Sequence, residues 1–310
     1  MLQQIQGIHH ITSMSRDARA TDRFFTKQLG LRRVKKTVNF DAPDIYHLYY
    51  GNTSGVPGSV MTYFPFPNII AGVRGTGEVG ETYFAVPSGS LDYWYSRLAE
   101  AGSQPERMVR FDQEVLVFTG VDGDGFVLVE QADDPREAWT GGGVSVDHAI
   151  QGFNGARMVL ADASATKELL QLMAFRSMGT DGAVERFQRN GGNGAEVIDV
   201  ETRSDLPRAR EGAGSVHHIA FAVADDEAQL KVRETLVEAG MRITPVIDRD
   251  YFHSIYFRAP GGVLFEIATN EPGFARDEDP DHLGEELRVP AQHAHLKSHL
   301  EKVLPAIGDD

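Results

Sequence analysis

Cysteine is absent from all 310 residues. Disulfides and thiolate-held zinc or iron–sulfur clusters are thereby excluded, and any transition metal has to be held by imidazole and carboxylate. Basic runs are missing too. Against 45 Asp and Glu stand 30 Lys and Arg, for a formal net charge of −15 and a pI near 5.2. This balance argues against nucleic acid or an anionic membrane as partner, though not against a small anionic substrate in a locally positive pocket. No apolar stretch approaches the ~18 residues of a membrane span. Met1-Leu2-Gln3-Gln4 lacks the basic and apolar regions of a signal peptide, so the expected location is cytoplasmic. Hydrophobic residues make up 41% and charged residues 24%, an ordinary composition with enough chain for one large domain or two of usual size.

The stretch from Gly212 to Asn270 is the most informative. It holds two adjacent histidines at the head of an apolar strand, Ser215-Val216-His217-His218-Ile219-Ala220-Phe221, and a lone acid inside another, Val263-Leu264-Phe265-Glu266-Ile267. Burying a carboxylate in such a strand is costly unless a cation compensates it, and a metal shared with histidine would do so. The doublet recurs as Gly7-Ile8-His9-His10-Ile11-Thr12. His10, His218 and Glu266 therefore form a candidate 2-His-1-carboxylate set, the ligand type of non-haem Fe(II) oxygenases. Successive strand residues face opposite ways, so His9 and His217 either pack as hydrogen-bonded core histidines or sit beside the metal.

Around these strands runs a fourfold repeat: an apolar strand, an amphipathic helix closed by Gly, then two or three strands. The first copy begins at Ile8–Met14 with a helix over about Asp17–Gln28. The second begins at Glu81–Val86 with a helix over Leu91–Ala101, and ends at Gly125–Glu130. A looser third begins at Asp147–Ile150, and the fourth has a helix over about Asp226–Ala239. From strand head to helix-stop Gly the spacing is 20 residues (His10 to Gly30), 21 (Glu81 to Gly102) and 22 (His218 to Gly240). The expected class is α+β, with four βαβββ modules paired into two curved mixed-sheet halves. Residues 1–140 would hold modules one and two, 141–275 modules three and four, and 276–310 a tail with a helix. Pro135–Gly143 is the expected crossing, and the pairing scheme is not visible in the sequence.

The doublets, Gly261-Gly262-Val263-Leu264-Phe265-Glu266, and the segments Val34–Thr37, Tyr46–Tyr49, Pro57–Thr62, Gly89–Leu91, His148-Ala149, Arg249–Phe252 and Asp277–Asp279 together resemble the vicinal oxygen chelate superfamily. Within it the chain is similar to the hydroquinone ring-cleaving dioxygenases, and the likeness covers nearly the whole chain. The resemblance implies an oxidoreductase that opens a small aromatic substrate with O2. It implies Fe(II), or Mn(II), held by His10, His218 and Glu266, with His9, Thr12, His217, Arg249 and Tyr256 near the substrate. A homo-oligomer is compatible with it.

Other readings stay open at this stage. The fold also carries isomerases and metal-free binding proteins. In the catechol-cleaving branch a ligand comes from a third module, which makes His148 with His218 and Glu266 a rival triad. Glu81 and Glu130 read as partly exposed carboxylates or remnants of a duplicated site, and Asp277–Asp281 as a solvated acidic loop. Ala291–Leu304, with His293, His295 and His299, reads as a solvated amphipathic helix. Tyr63 stands where an isomerase would draw a further carboxylate from module one. Tyr63, Phe64, Phe66, Phe252 and Phe257 would suit a pocket for a flat ring, with core packing the ordinary alternative.

Overall fold

Strand, helix, then three strands is the order in each of the four repeats of the computed structural model, which describes residues 1–308. Module one has β1 (Ile8–Ser15), α1 (Ala18–Arg23) running on through a π turn at Phe24–Gln28, β2 (Arg32–Val38), β3 (Tyr46–Gly51) and β4 (Val60–Pro65). Module two has β5 (Glu78–Val86), α2 (Leu91–Glu100), β6 (Glu106–Arg110), β7 (Gln113–Thr119) and β8 (Gly125–Glu130). Module three has β9 (Gly152–Leu160), α3 (Ser164–Leu172), β10 (Arg176–Asp181), β11 (Val184–Gln188) and β12 (Val197–Thr202). Module four has β13 (Val216–Val223), α4 (Asp226–Glu238), β14 (Ile247–Asp248), β15 (Phe252–Arg258) and β16 (Leu264–Pro272). Local chemistry fixes the helix ends. Asp17 accepts hydrogen bonds from the Arg19 and Ala20 amides, and Asp225 from that of Ala228. The stops Gly30, Gly102 and Gly240 all have positive φ, which favours glycine.

Two eight-stranded sheets result, in the orders β14-β15-β16-β13-β1-β4-β3-β2 and β10-β11-β12-β9-β5-β8-β7-β6. Module one therefore pairs with module four, and module two with module three. The division at residue 140 does not separate the sheets, because each takes one module from either side of it. The reason is edge pairing: β1 lies antiparallel against β13, and β5 against β9. One apolar core runs through both sheets and their helices, including Phe25, Trp94, Phe126, Phe153, Leu170, Phe221 and Phe265.

Three local expectations change. Module three begins at Gly152, since Asp147–Ile150 forms a turn that covers the start of α2. There the Ser90 hydroxyl donates to the Asp147 carbonyl and the Trp94 indole to that of His148. Glu278, expected in a solvated loop, is buried against the Lys35 ammonium, which is itself fully buried and also bonds Asp277 at 2.7 Å. Ala291–Leu304 is divided into a 3-10 turn at Ala291–Leu296 and α5 (Lys297–Val303). The tail covers the outer edge of β2 through a bridge between Lys36 and Leu287; residues 309 and 310 lie outside the described residues.

Removing one member of a buried ion pair strands the other charge, at a cost of about 3–5 kcal/mol. Lys35→Met should lower the unfolding free energy by that order in urea denaturation. A loss near zero would mean that the tail does not depend on this clamp.

Candidate metal centre

The two histidine doublets owe their geometry to two β-bulges. Between the pairs Ile8↔Phe221 and His10↔Ala220, β1 advances two residues while β13 advances one, which leaves His9 as the extra residue. Between Thr12↔His218 and Ser13↔Val216 the excess lies on β13, at His217. A bulge bends the strand and re-aims its side chains. Adjacent histidines can thus approach one another instead of facing opposite sides of the pleat: His9 Nδ1 is 2.9 Å from His10 Nδ1, and His217 Nδ1 is 2.8 Å from His218 Nδ1. On the far side of β13, β16 runs parallel and sets Glu266 opposite Ala220.

His10, His218 and Glu266 converge there, fully buried, with one ligand atom from each lying within 4.8 Å of the others. Ser254 donates to Glu266 Oε1. Glu266 Oε2 has no hydrogen-bond partner, although it stands 2.9 Å from His218 Nε2 and 3.3 Å from His10 Nε2. The two Nε2 atoms are 3.2 Å apart. An orphaned carboxylate oxygen facing two imidazole nitrogens fits a shared cation. The surrounding bonds permit the required tautomers. With His10 and His218 protonated at Nδ1, each donates to the histidine before it, and His9 donates from Nε2 to the Thr269 carbonyl at 3.1 Å. Burial lowers the His218 pKa to about 4, so its imidazole is neutral near pH 7.

A cavity of about 570 Å³ opens over this cluster. Its wall includes His10, His47, Phe64, Phe66, His217, His218, Arg249, Phe252 and Tyr256. Arg249 Nε donates to the Tyr256 hydroxyl at 3.2 Å, and its guanidinium lies over the Phe40 ring. Burial, then the Glu266 charge, push Tyr256 well above the ordinary phenol range. His9, Thr12 and Glu266 are buried behind the wall, so His9 backs His10 and does not reach the cavity. Tyr63 and Phe257 face the core, as alternation along β4 and β15 dictates, and the Tyr63 hydroxyl donates to Asp124 at 2.8 Å. His148 stacks on Tyr93 with its ring centre 4.4 Å away, and the described residues contain no metal-type cluster that includes it. His293 sits at the Phe40 carbonyl, 2.9 Å away. A larger cavity of about 780 Å³ between α1 and the tail contains none of these groups.

Sequence reasoning missed Ser254, His47 and Tyr49 as parts of the site. The available signal was period two: His47 and Tyr49 share one face of β3, and Ser254 and Tyr256 one face of β15.

The second sheet repeats this register with different chemistry. Gly80 and Asn154 are the extra residues at its bulges, Glu81 pairs with Arg157, and Arg157 pairs with Asp199. Glu81 thus matches His10, Arg157 matches Ala220, and Asp199 matches Glu266. Guanidinium groups compensate the acids: Arg157 lies 2.9 Å from Glu81 and Arg186 bonds both Asp199 oxygens at 2.8 Å. The position of His218 is taken by Gly155, where a Cβ would stand 2.1 Å from the Val197 carbonyl oxygen. Glu130 accepts from the Leu91 amide at the start of α2.

Comparison with known proteins agrees with the fold. The sequence model of the Glyoxalase/Bleomycin resistance protein/Dioxygenase superfamily matches residues 125–267. Glyoxalase I from Zea mays superposes with a TM-score of 0.62 at 14% identity, covering 86% of this chain and 92% of that one, which is a likeness of fold alone. MhqO of Bacillus subtilis, provisionally named a ring-cleaving dioxygenase, is 39% identical over 98% of this chain and 97% of its own. The chlorohydroquinone/hydroquinone 1,2-dioxygenase of Sphingobium indicum is 35% identical over 97% of both. A crystal structure from Bacillus subtilis, provisionally named a dioxygenase, superposes with a TM-score of 0.95 at 39% identity over 98% of each chain. The chain belongs to the ring-cleaving dioxygenases of this superfamily, oxidoreductases that incorporate dioxygen.

Burial, together with the neighbouring His10, lowers His9 to about 3, and burial lowers His218 to about 4, both from 6.5. Between those values and 6.5 the unfolded chain binds more protons than the folded one, so stability rises with pH in this window and is lost on acidification. Metal-free protein should therefore lose stability progressively as the pH falls below 6.5. Chemical denaturation at pH 7, 6 and 5 checks this; a flat profile would mean that the histidines are not buried neutral.

Proposed function

We propose that the protein is a cytoplasmic non-haem Fe(II)-dependent dioxygenase that opens the ring of a substituted hydroquinone. The observation that carries this reading is the buried convergence of His10, His218 and Glu266 beneath an aromatic-walled cavity. Two imidazoles and a carboxylate on one side of an ion leave its other side for substrate and O2; the same donors would accept Mn(II). When bound, Fe(II) supplies the one-electron chemistry that lets an ionised phenol ring react with O2.

The chain's own groups bind and orient. Phe64, Phe66 and Phe252 flank a flat ring, with Phe252 also packed on His10 at 5.0 Å between ring centres. The Arg249 guanidinium gives a fixed positive charge for a phenolate oxygen. Tyr256, held as a neutral phenol, keeps its proton for a hydrogen bond. His217 lines the cavity, and with its Nδ1 taken by His218 it carries its proton on Nε2, free to donate toward a substrate oxygen. His9 steadies the His10 ring from behind. The register favours an oxygenase over an isomerase with a second carboxylate ligand. Thr62 on β4 stands opposite Thr12 as Glu266 on β16 stands opposite Ala220, so the counterpart of Glu266 is Thr62, and it is not an acid. The 35% identity to a chlorohydroquinone/hydroquinone 1,2-dioxygenase supports the choice of substrate class.

Protein prepared anaerobically should carry about one Fe(II) or Mn(II) per chain, as one triad implies. His10→Ala, His218→Ala and Glu266→Gln should lose it, whereas His148→Ala should keep it; metal analysis decides. Oxygen uptake should be at least about tenfold faster with methyl- or chlorohydroquinone than with the matching catechols, a difference of roughly 1.4 kcal/mol. The reverse preference would refute the substrate class and leave the metal centre standing.

A further inference from the structure

A buried hydrogen-bond chain crosses three strands and ends on a nitrogen of the triad. The Tyr49 hydroxyl is 2.8 Å from His47 Nδ1, His47 Nε2 is 2.9 Å from Thr62 Oγ1, Thr62 Oγ1 is 2.8 Å from Thr12 Oγ1, and Thr12 Oγ1 is 2.8 Å from His218 Nε2. Relative exposure is 7% at His47 and 1% or less at Tyr49, Thr62 and Thr12, so each proton needs an acceptor within the chain.

That requirement sets a direction. Among the described residues the Tyr49 hydroxyl has one hydrogen-bond partner, so it donates to His47 Nδ1. His47 then carries its proton on Nε2 and donates to Thr62. Thr62 in turn donates to Thr12, and the Thr12 proton is left for His218 Nε2. The far end of the chain therefore leaves the lone pair on the His218 atom that belongs to the triad, the tautomer that the His217 contact also permits. Burial pushes Tyr49 well above the usual phenol range and His47 well below the usual imidazole range, so both stay neutral.

We propose that Tyr49, His47 and Thr62 are positioning residues that fix the Thr12 hydroxyl as an obligatory donor beside the ligand atom of His218. Once His218 Nε2 is committed to a metal, the Thr12 proton lacks that acceptor. Thr12 does not line the cavity, so only an oxygen drawn in as close as the His218 nitrogen can satisfy it, and that ligand chemistry is an oxyanion, the ionised oxygen of the phenolic substrate. Thr62 has its hydroxyl at the register position of Glu266, and the counterpart of the ligand carboxylate thereby becomes a relay of orientation. The binding part of the inference rests on the triad holding a metal; the direction of the chain does not.

Two measurements separate these parts. In metal-free protein, nitrogen-15 couplings of the imidazoles should find the proton on Nε2 of His47 and on Nδ1 of His218. In Tyr49→Phe the His47 assignment should be lost. His47 protonated at Nδ1 in the wild type would overturn the direction whatever the activity proves to be. In protein loaded with Zn(II), which does not turn over, 4-nitrophenol reports the ionisation of a bound phenol through the visible absorption of its anion. Tyr49→Phe and Thr62→Val should keep their metal and raise the pKa of the bound phenol by about one unit, a tenfold loss of phenolate preference. Thr62→Ser should behave as wild type. Unchanged ionisation in both disrupting variants, or loss of metal from either, would overturn the positioning role. Variants that show these shifts, together with a wild-type protein that consumes no O2 with hydroquinones, would sink the proposed function and leave this inference intact.

Discussion

Antiparallel pairing of β1 with β13 is the constraint on which the rest of the molecule depends. It places His10 beside His218, residues 208 apart in the chain, and its two bulges turn each preceding histidine onto its neighbour. It also creates a demand. Glu266 ends fully buried with one oxygen lacking a hydrogen-bond partner, and the imidazoles of His10 and His218 face it. Burying a carboxylate without compensation is strongly unfavourable, so the metal-free cluster is held in place by the sheets and by Ser254, and a bound cation would relieve it. The same economy explains the layers behind the ligands. His9, His217 and the Thr12 chain each assign a proton to one atom, and those assignments leave lone pairs facing the common point.

The second sheet shows how little of this follows from the fold. Its bulges, register and strand order repeat those of the first, yet its matching row reads Glu81, Arg157, Asp199 in place of His10, Ala220, Glu266. The small Ala220 leaves space beside the ligands; Arg157 fills the corresponding space with a guanidinium that pairs with Glu81 and thus carries the positive charge internally. A partly buried ion pair of this kind supplies its own countercharge, and Gly155 removes the position from which a second imidazole could reach in. One scaffold thus supports a metal centre and a salt-bridged counterpart, and the side chains at four register positions decide between them.

Much of this was legible in the sequence, for identifiable reasons. Strand and helix periodicity with Gly stops gave the four repeats, because those signals are local. Glu266 stood out since an acid inside an apolar strand needs a partner wherever the strand lies, and the absence of cysteine left imidazole as its natural companion. The repeated doublets supplied the candidate histidines, and the family resemblance pointed to the second of each, His10 and His218. Period-two alternation alone did not separate Phe64, in the cavity wall, from Tyr63, in the core, because either phase of β4 is aromatic.

The tertiary structure decided what depends on contacts between distant segments. Pairing of module one with module four, against a division at residue 140, is a matter of which edges of the modules meet, and no local pattern encodes it. The bulges escaped because the extra residue exists only relative to a partner strand. Glu278 read as part of a solvated acidic loop until the tail folded back over β2 and buried it against Lys35. His148 lost its claim as a ligand when its segment became a turn against α2 rather than a strand. The roles of His47, Tyr49 and Thr62 emerge only when β3, β4, β1 and β13 lie side by side, since a hydrogen bond needs its two atoms within about 3 Å of one another, and sequence order says nothing about that distance.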